Sequence, residues 1–580
     1  MCILSSLLYY LHMTEKLPEW DMSDIYPSPD SERFHDDIRR VREIGDEIIE
    51  HCSDPHFPLL SLIKLKDEGD SLIVTLAAYT EALLETDSEN KAYLKALNES
   101  EEISVFYDKA EDAFVRCVSA RKDEFSSPEL SEYRYYLDRI AVEGSHLMSE
   151  AEEALASELA RTGENAWQRL MSAVTSTAAD GDKTLIELRA LASDPDRTIR
   201  KDAYERELQL LDTHKTAVAA ALNGVKGSVL TLERRRGWAD PLDRSLFSSA
   251  ISRKTLDALL GAMRESLPLF HHYFHIKARL MGLDKMDFYD LFAPVGKSSR
   301  KYSFQEAKEI VISAYKAFST EMGAFAEMAF RHNWLDAAPH KGKAGGAFDI
   351  FFPARKQSRI FLNFDSSYDS VATIAHEMGH AYHDSVIKEL PVSLSSYPMT
   401  LAETASIFGE MLVSDYILSS ADRDEALTII EAFVQNAAQV IVDILSRYIF
   451  EKSVFERRRD GEITADELSE MMLSAQSEAY GDAIGEKHKY MWAVKSHYYS
   501  ADFSYYNYPY AFGELFALSL YSQKDKKDFP SLYRKVLENT GRMDAAACAS
   551  IAGCNIEDKE FWKAGLDYIG RYIEELEKWL

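Results

Sequence analysis

The residues best equipped for chemistry in this chain are His376, Glu377 and His380, in the run His376-Glu377-Met378-Gly379-His380. On a helix, positions four apart lie one above the other. The two imidazoles can therefore turn ring nitrogens toward one zinc ion while Glu377 approaches the water bound to it. That is the equipment of metal-assisted hydrolysis. His271 and His275 share the spacing but lack the intervening acid and an obvious third ligand, so they read as structural. A catalytic zinc site takes three protein ligands and leaves a fourth position to water. The metzincin pattern would place Gly at 383 and His at 386, but His383 and Val386 stand there, which excludes that subclass. The alternative is a glutamate from a following helix. Residues 399–414 read as that helix, with Glu403 and Glu410 seven apart on one face among Leu401, Ala402, Ala405, Ile407 and Phe408. An inward carboxylate in such company is costly unless it meets a cation or a metal, so Glu403 is the expected third ligand. Glu410 is either an ordinary solvated glutamate or the acceptor of a ligand histidine's other ring proton, which would fix the tautomer.

A further cluster begins at Trp492 and runs through His497-Tyr498-Tyr499 to Tyr505-Tyr506-Asn507-Tyr508-Pro509-Tyr510. Peptide hydrolysis builds negative charge on the carbonyl oxygen, and an imidazole or phenol can donate to it. His497 with one or more tyrosines could supply that donor; the other reading is an aromatic core helix with wet edges. Asp460-Gly461 with Glu467 mimics part of a calcium loop, but Glu456 and Arg458 occupy its first and third ligand positions.

The elements that must position these groups are mostly helical. Only 25 Gly and 16 Pro occur among 580 residues, against an average near 12% for the two together. The metal motif reads as a helix over 371–388, with Ser370 or Asp369 as N-cap and Pro391 just past its end. Residues 31–191 read as nearly continuous amphipathic helix without a chemical motif, a scaffold or lid. Residues 256–283 and 303–332 read as further helices. Only the region after the glycine-rich loop at 339–346 has the look of sheet, with short strands at 347–353 and 359–364. The latter is a candidate for pairing with an extended substrate, and Gly345 and Gly346 would permit close approach; the alternative is a core hairpin.

The 66 Lys and Arg against 96 Asp and Glu leave a net charge of −30, so nucleic acid and anionic membrane are poor partners. The five cysteines are odd in number and without CxxC spacing, which suits a reducing compartment, the cytoplasm. The apolar run at 2–11 lacks a basic flank and is too short to span a bilayer, and no other stretch reads as spanning. Residues 1–12 read as a non-native or unstructured extension, with Met13 as the natural start. No phosphate-binding glycine motif is present.

Together these residues resemble the M3 zinc metallopeptidases, in their oligoendopeptidase F branch. The resemblance rests on Leu17-Pro18-Glu19-Trp20-Asp21 with Ser23-Asp24-Ile25-Tyr26-Pro27, on Asp290-Leu291-Phe292-Ala293-Pro294, and on the loop 342–348. It continues through His376 to His380, Ala402-Glu403-Thr404-Ala405-Ser406, and His497 with the tyrosine run into Tyr510-Ala511-Phe512-Gly513. It implies a mainly α fold with a deep substrate channel and a small β-sheet near the zinc. It further implies a helical lid or scaffold over 13–190, a catalytic domain over 191–580, one catalytic Zn2+, and cleavage inside short peptides. Carried over by position, His376, His380 and Glu403 are ligands, Glu377 the general base, and His497 and a tyrosine the transition-state donors. Anchoring on Gly513-Glu514-Leu515-Phe516 selects Tyr510; counting forward from His497 selects Tyr508. The competing readings are a zinc carboxypeptidase of similar helical design and an inactive peptide-binding protein.

Overall fold

A computed structural model describes residues 16–296 and 300–580; the expected extension at 1–12 lies outside them. The described chain is mainly helical, with one two-stranded and one three-stranded sheet. It forms two compact units, each discontinuous in sequence. The first draws on the described residues of Met1–Ser145, Ser299–Ser420 and Gln523–Gly553, and the second on His146–Ser298, Ala421–Ser522 and Cys554–Leu580.

The first unit begins with three long helices, Glu32–Cys52, Leu59–Thr86 and Lys91–Ala120. Their apolar faces, with Phe34, Ile44, Leu62, Tyr79, Ile103 and Phe114 fully or nearly fully buried, form a shared core. The segment before them is tied to the sheet. Ala337 N–H donates to the Pro18 carbonyl at 2.9 Å, and the Arg359 guanidinium donates to the Asp21 carbonyl at 3.0 Å. The structural use of Trp20 is likewise plain, its ring lying against Phe361.

The elements that carry the site are α1 (Phe304–Phe318), β1 (Leu335–Asp336), β2 (Phe348–Phe352), β3 (Gln357–Phe361), α2 (Tyr368–Ile387) and α3 (Thr404–Leu418). The 303–332 reading proves to be two helices, because Ser319 adopts extended backbone and caps the second, Thr320–Arg331. In the sheet β3 is central, parallel to β1 and antiparallel to β2 with Phe348 opposite Phe361. Substrate pairing on the strand around Arg359 is therefore ruled out, since both its edges are already bonded. Among the described residues the outer strands of this sheet are β1 and β2.

In the second unit, the 256–283 reading corresponds to Arg253–Leu280, and the longest helix is Arg197–Arg235. The Asp290 motif has a structural explanation there: the buried Asp290 carboxylate accepts from Arg197 at 2.8 Å and Arg200 at 2.9 Å. His271 Nε2 bonds the Ala479 carbonyl at 2.9 Å. The run Arg423–Arg458 is long and apolar enough to cross a membrane, which the sequence reading overlooked. In the folded unit its Ile429, Val434, Ile441 and Leu445 are buried.

Candidate metal centre

Helix α2 starts three residues earlier than its pattern suggests, because Ser367 rather than Ser370 or Asp369 caps it. Ser367 Oγ accepts from Ser370 N–H at 3.1 Å, while the Asp365 carboxylate takes the Ser367 N–H and the Ser370 hydroxyl. The body of the helix is held by its neighbours. Tyr315 on α1 donates to the Ala375 carbonyl at 2.6 Å, and α3 packs alongside, its Gly409 lying against the same hydroxyl. Gly379 allows that contact: a Cβ there would fall 2.4 Å from the Ala405 carbonyl oxygen, a distance no side chain tolerates.

The helix expected over 399–414 is interrupted. Met399–Ala402 forms one turn, Glu403 sits at a break with φ −79° and ψ 3°, and α3 continues from Thr404. This sparsely populated conformation is common where side chains are aimed at a site. Here it directs Glu403 at the histidines. Glu403 Oε2 lies 3.2 Å from His376 Nε2 and 3.4 Å from His380 Nε2, and the three donor atoms all lie within 4.8 Å of one another. A tetrahedral ion with bonds of about 2.1 Å would separate neighbouring donors by about 3.4 Å. Two imidazoles and a carboxylate at these separations fit such an ion.

Around this triad, Ser406 Oγ donates to Glu403 Oε2 at 2.7 Å, and His376 Nδ1 lies 3.3 Å from Glu410 Oε2. Burial disfavours a charged His376, but Glu403 and Glu410 outweigh it and push its pKa up to about 10 without a metal. Burial likewise works against the Glu403 carboxylate, yet the two histidines hold it far below the usual carboxylate range. Both shifts report a pocket that demands positive charge. Glu377 is only 7% exposed, and desolvation raises its carboxyl pKa; the neighbouring imidazoles and the Asp349 backbone N–H offset this in part.

Several supporting residues escaped the sequence reading. Asp384, one turn beyond His380, accepts from Ser358 Oγ of β3 at 2.9 Å. It faces the buried Asp349 of β2: burial, reinforced by the Asp384 carboxylate, pushes the Asp349 carboxyl well above its ordinary range. The pair joins the sheet to the motif helix. His383, absent from any ligand set, is wholly buried against the Thr540 hydroxyl at 2.9 Å and stacked on Tyr397.

His497 and the tyrosines belong to the second unit. His497 Nε2 is buried without a hydrogen-bond partner. Burial, reinforced by Arg447, Lys226 and Lys495, pulls its pKa down to about 3, so the ring is neutral. Tyr508 is fully buried, its hydroxyl engaged by Ser249 at 2.9 Å and Ser245 at 3.1 Å. Tyr510 is half-buried and donates to the Tyr506 hydroxyl at 2.8 Å. Tyr506, which the sequence reading did not single out, also stacks beside His497 at 6.0 Å between ring centroids.

Comparison with known proteins bears on the whole assembly. A family model described as Peptidase family M3 matches residues 190–568, and one described as Oligopeptidase F matches residues 121–177. The chain is 24% identical to oligopeptidase PepF of Bacillus subtilis (strain 168) over 554 residues, covering 89% of this chain and 80% of that protein. It is 22% identical to an oligoendopeptidase F homolog of Lactococcus lactis subsp. lactis (strain IL1403) over 611 residues, covering 98% of both. Among solved structures, oligoendopeptidase-F from Enterococcus faecium superposes with a TM-score of 0.67 at 18% identity, over 93% of this chain and 98% of that one. A Chlamydophila abortus chain gives 0.83 at 20% identity, over 97% and 98%. At these identities the structural likenesses establish the fold.

Proposed function

The chain belongs to peptidase family M3, a family of metallopeptidases, and from that premise we propose that it is a zinc-dependent endopeptidase acting inside short oligopeptides. The observation that carries the reading is the convergence of His376, His380 and Glu403 donor atoms from two helices at separations suited to a tetrahedral ion. Neutral imidazole and carboxylate donors fit zinc well. Glu410 holds His376 by its Nδ1–H, presenting Nε2 to the metal.

His376, His380 and Glu403 would hold the ion, which when bound would supply Lewis acidity toward water and the scissile carbonyl. Glu377 acts as the general base: its desolvated carboxylate takes the proton of the attacking water and delivers it to the leaving amine. Its raised pKa makes it a stronger base than an exposed glutamate. The family resemblance assigns His497 and Tyr510 to the developing oxyanion. A neutral His497 would donate through an N–H, and Tyr510 suits the role better than Tyr508, whose hydroxyl is committed to two serines. An extended peptide binding by strand addition would use an outer strand such as β2. The free thiols among the described cysteines favour a reducing compartment, the cytoplasm.

Digestion of a short peptide blocked at both termini, with and without chelator, tests this reading. Internal cleavage that stops on chelation and returns with zinc is expected. An enzyme that cuts only peptides with a free terminus is instead an exopeptidase, and undiminished cleavage under chelation removes the metal from the mechanism.

A further inference from the structure

The second unit contains a cavity of about 330 Å³ that the hydrolytic reading leaves unused. Its polar wall comprises Arg189, Arg200, Glu207, Asp443, His488 and Lys495. Each carboxylate there already has its own cation. Glu207 pairs with Arg189 and lies 3.2 Å from His488 Nε2; Asp443 pairs with Arg447 and accepts from the Tyr480 hydroxyl at 3.2 Å. Arg200 is satisfied by Asp290 and by the carbonyls of Asp194, Pro195 and Tyr289. Lys495 is left over: its ammonium makes no hydrogen bond or ion pair with another described residue, and burial, with Arg447 and Arg189 acting in the same sense, pulls its pKa down to about 8 although the nearby Asp443 and Glu207 carboxylates offset this in part. A desolvated ammonium without a partner is costly, and an anion entering the cavity would relieve it.

The remaining wall is apolar, formed by Leu188, Phe288, Met491 and Phe292, the last of which keeps 39% of its surface exposed. Between the two walls run Gln439 and Asp443, the ends of a single π turn inside the helical run Arg423–Arg458. Such turns distort a helix and persist mainly where a site uses them.

We propose that this cavity binds a small monocarboxylate with an aromatic or branched aliphatic body, its carboxylate on Lys495 and its body against Phe288, Phe292 and Met491. One surplus cation matches one negative charge, and Glu207 and Asp443 would repel a dianion such as phosphate. The volume lies at the small end of ligand pockets and suits one ring with a short acid chain. The proposal is independent of the metal centre.

The test is a 19F NMR titration of 3-(4-fluorophenyl)propionate into the zinc-loaded protein and the same protein after chelation. Saturable binding of equal strength in both samples is expected. Lys495→Met should weaken it about tenfold or more, Lys495→Arg should restore it, and the neutral 3-(4-fluorophenyl)propanamide should bind about tenfold more weakly than the acid. Ala192→Trp, which fills the cavity while keeping Lys495, should abolish binding and serves if Lys495→Met does not fold. Absence of saturable binding, equal affinity for acid and amide, unchanged affinity in Lys495→Met or Ala192→Trp, or loss of binding on chelation would each overturn the assignment.

Discussion

His376 stands among carboxylates and His497 among cations, and the two rings respond in opposite directions. Burial acts on both against the charged form. At His376 the Glu403 and Glu410 carboxylates overcome it and push the pKa up to about 10; at His497, Arg447, Lys226 and Lys495 add to it and pull the pKa down to about 3. An imidazole that its surroundings would protonate marks a pocket prepared for positive charge, and a divalent ion supplies that charge better than a proton. An imidazole held neutral beside cations marks a region prepared for negative charge, such as an oxyanion. The same side chain is thus a candidate ligand in one unit and a candidate donor in the other because the neighbouring charges differ in sign.

The largest effect should follow from replacing Glu377, the proposed base, while the proposed ligands stay in place. Glu377→Gln should lower kcat/KM by about 10²–10⁴-fold while the protein keeps its metal. Near wild-type turnover in a metal-loaded variant would show that another group moves the proton.

At the second histidine, His497→Ala should lower kcat by about 10²–10³-fold with a smaller change in KM, as expected when a transition-state contact is lost. The ring of wild-type His497 should also show no NMR titration between pH 5 and 8: with its folded pKa near 3, it is neutral throughout that range. A titration centred near 6.5 would erase the contrast with His376.

The mildest effect should come from Glu410, the proposed partner of a ligand histidine. Glu410→Gln keeps a hydrogen-bonding group near His376 Nδ1 but removes its charge, and should weaken metal affinity by about 10–100-fold. An affinity equal to wild type would mean that the 3.3 Å contact does not tune the ligand.

Much of the metal centre was legible because its logic is local. Helical periodicity alone aligns His376 with His380, and an acid among Leu401, Ala405 and Phe408 advertises a partner. The break at Glu403 was not legible, since the surrounding residues favour helix and the close packing of α3 on α2 at Gly379 joins residues remote in sequence. The strands at 347–353 and 359–364 stand where β2 and β3 are found, but their order in the sheet depends on Leu335–Asp336, too short to leave a pattern. The Asp349–Asp384 pair joins residues remote in sequence, as do the contacts that separate Tyr508 from Tyr510. Apolar content over Arg423–Arg458 looks the same whether a helix is surrounded by lipid or by its own fold; burial of Val434 and Ile441 is a tertiary fact.

The convergence of three donors on one ion is most directly tested by metal content. Purified wild-type protein analysed by inductively coupled plasma mass spectrometry should hold one zinc per chain. Glu403→Ala and His380→Ala, each with unchanged far-UV circular dichroism, should hold almost none. A full equivalent of zinc retained in both variants would contradict the account.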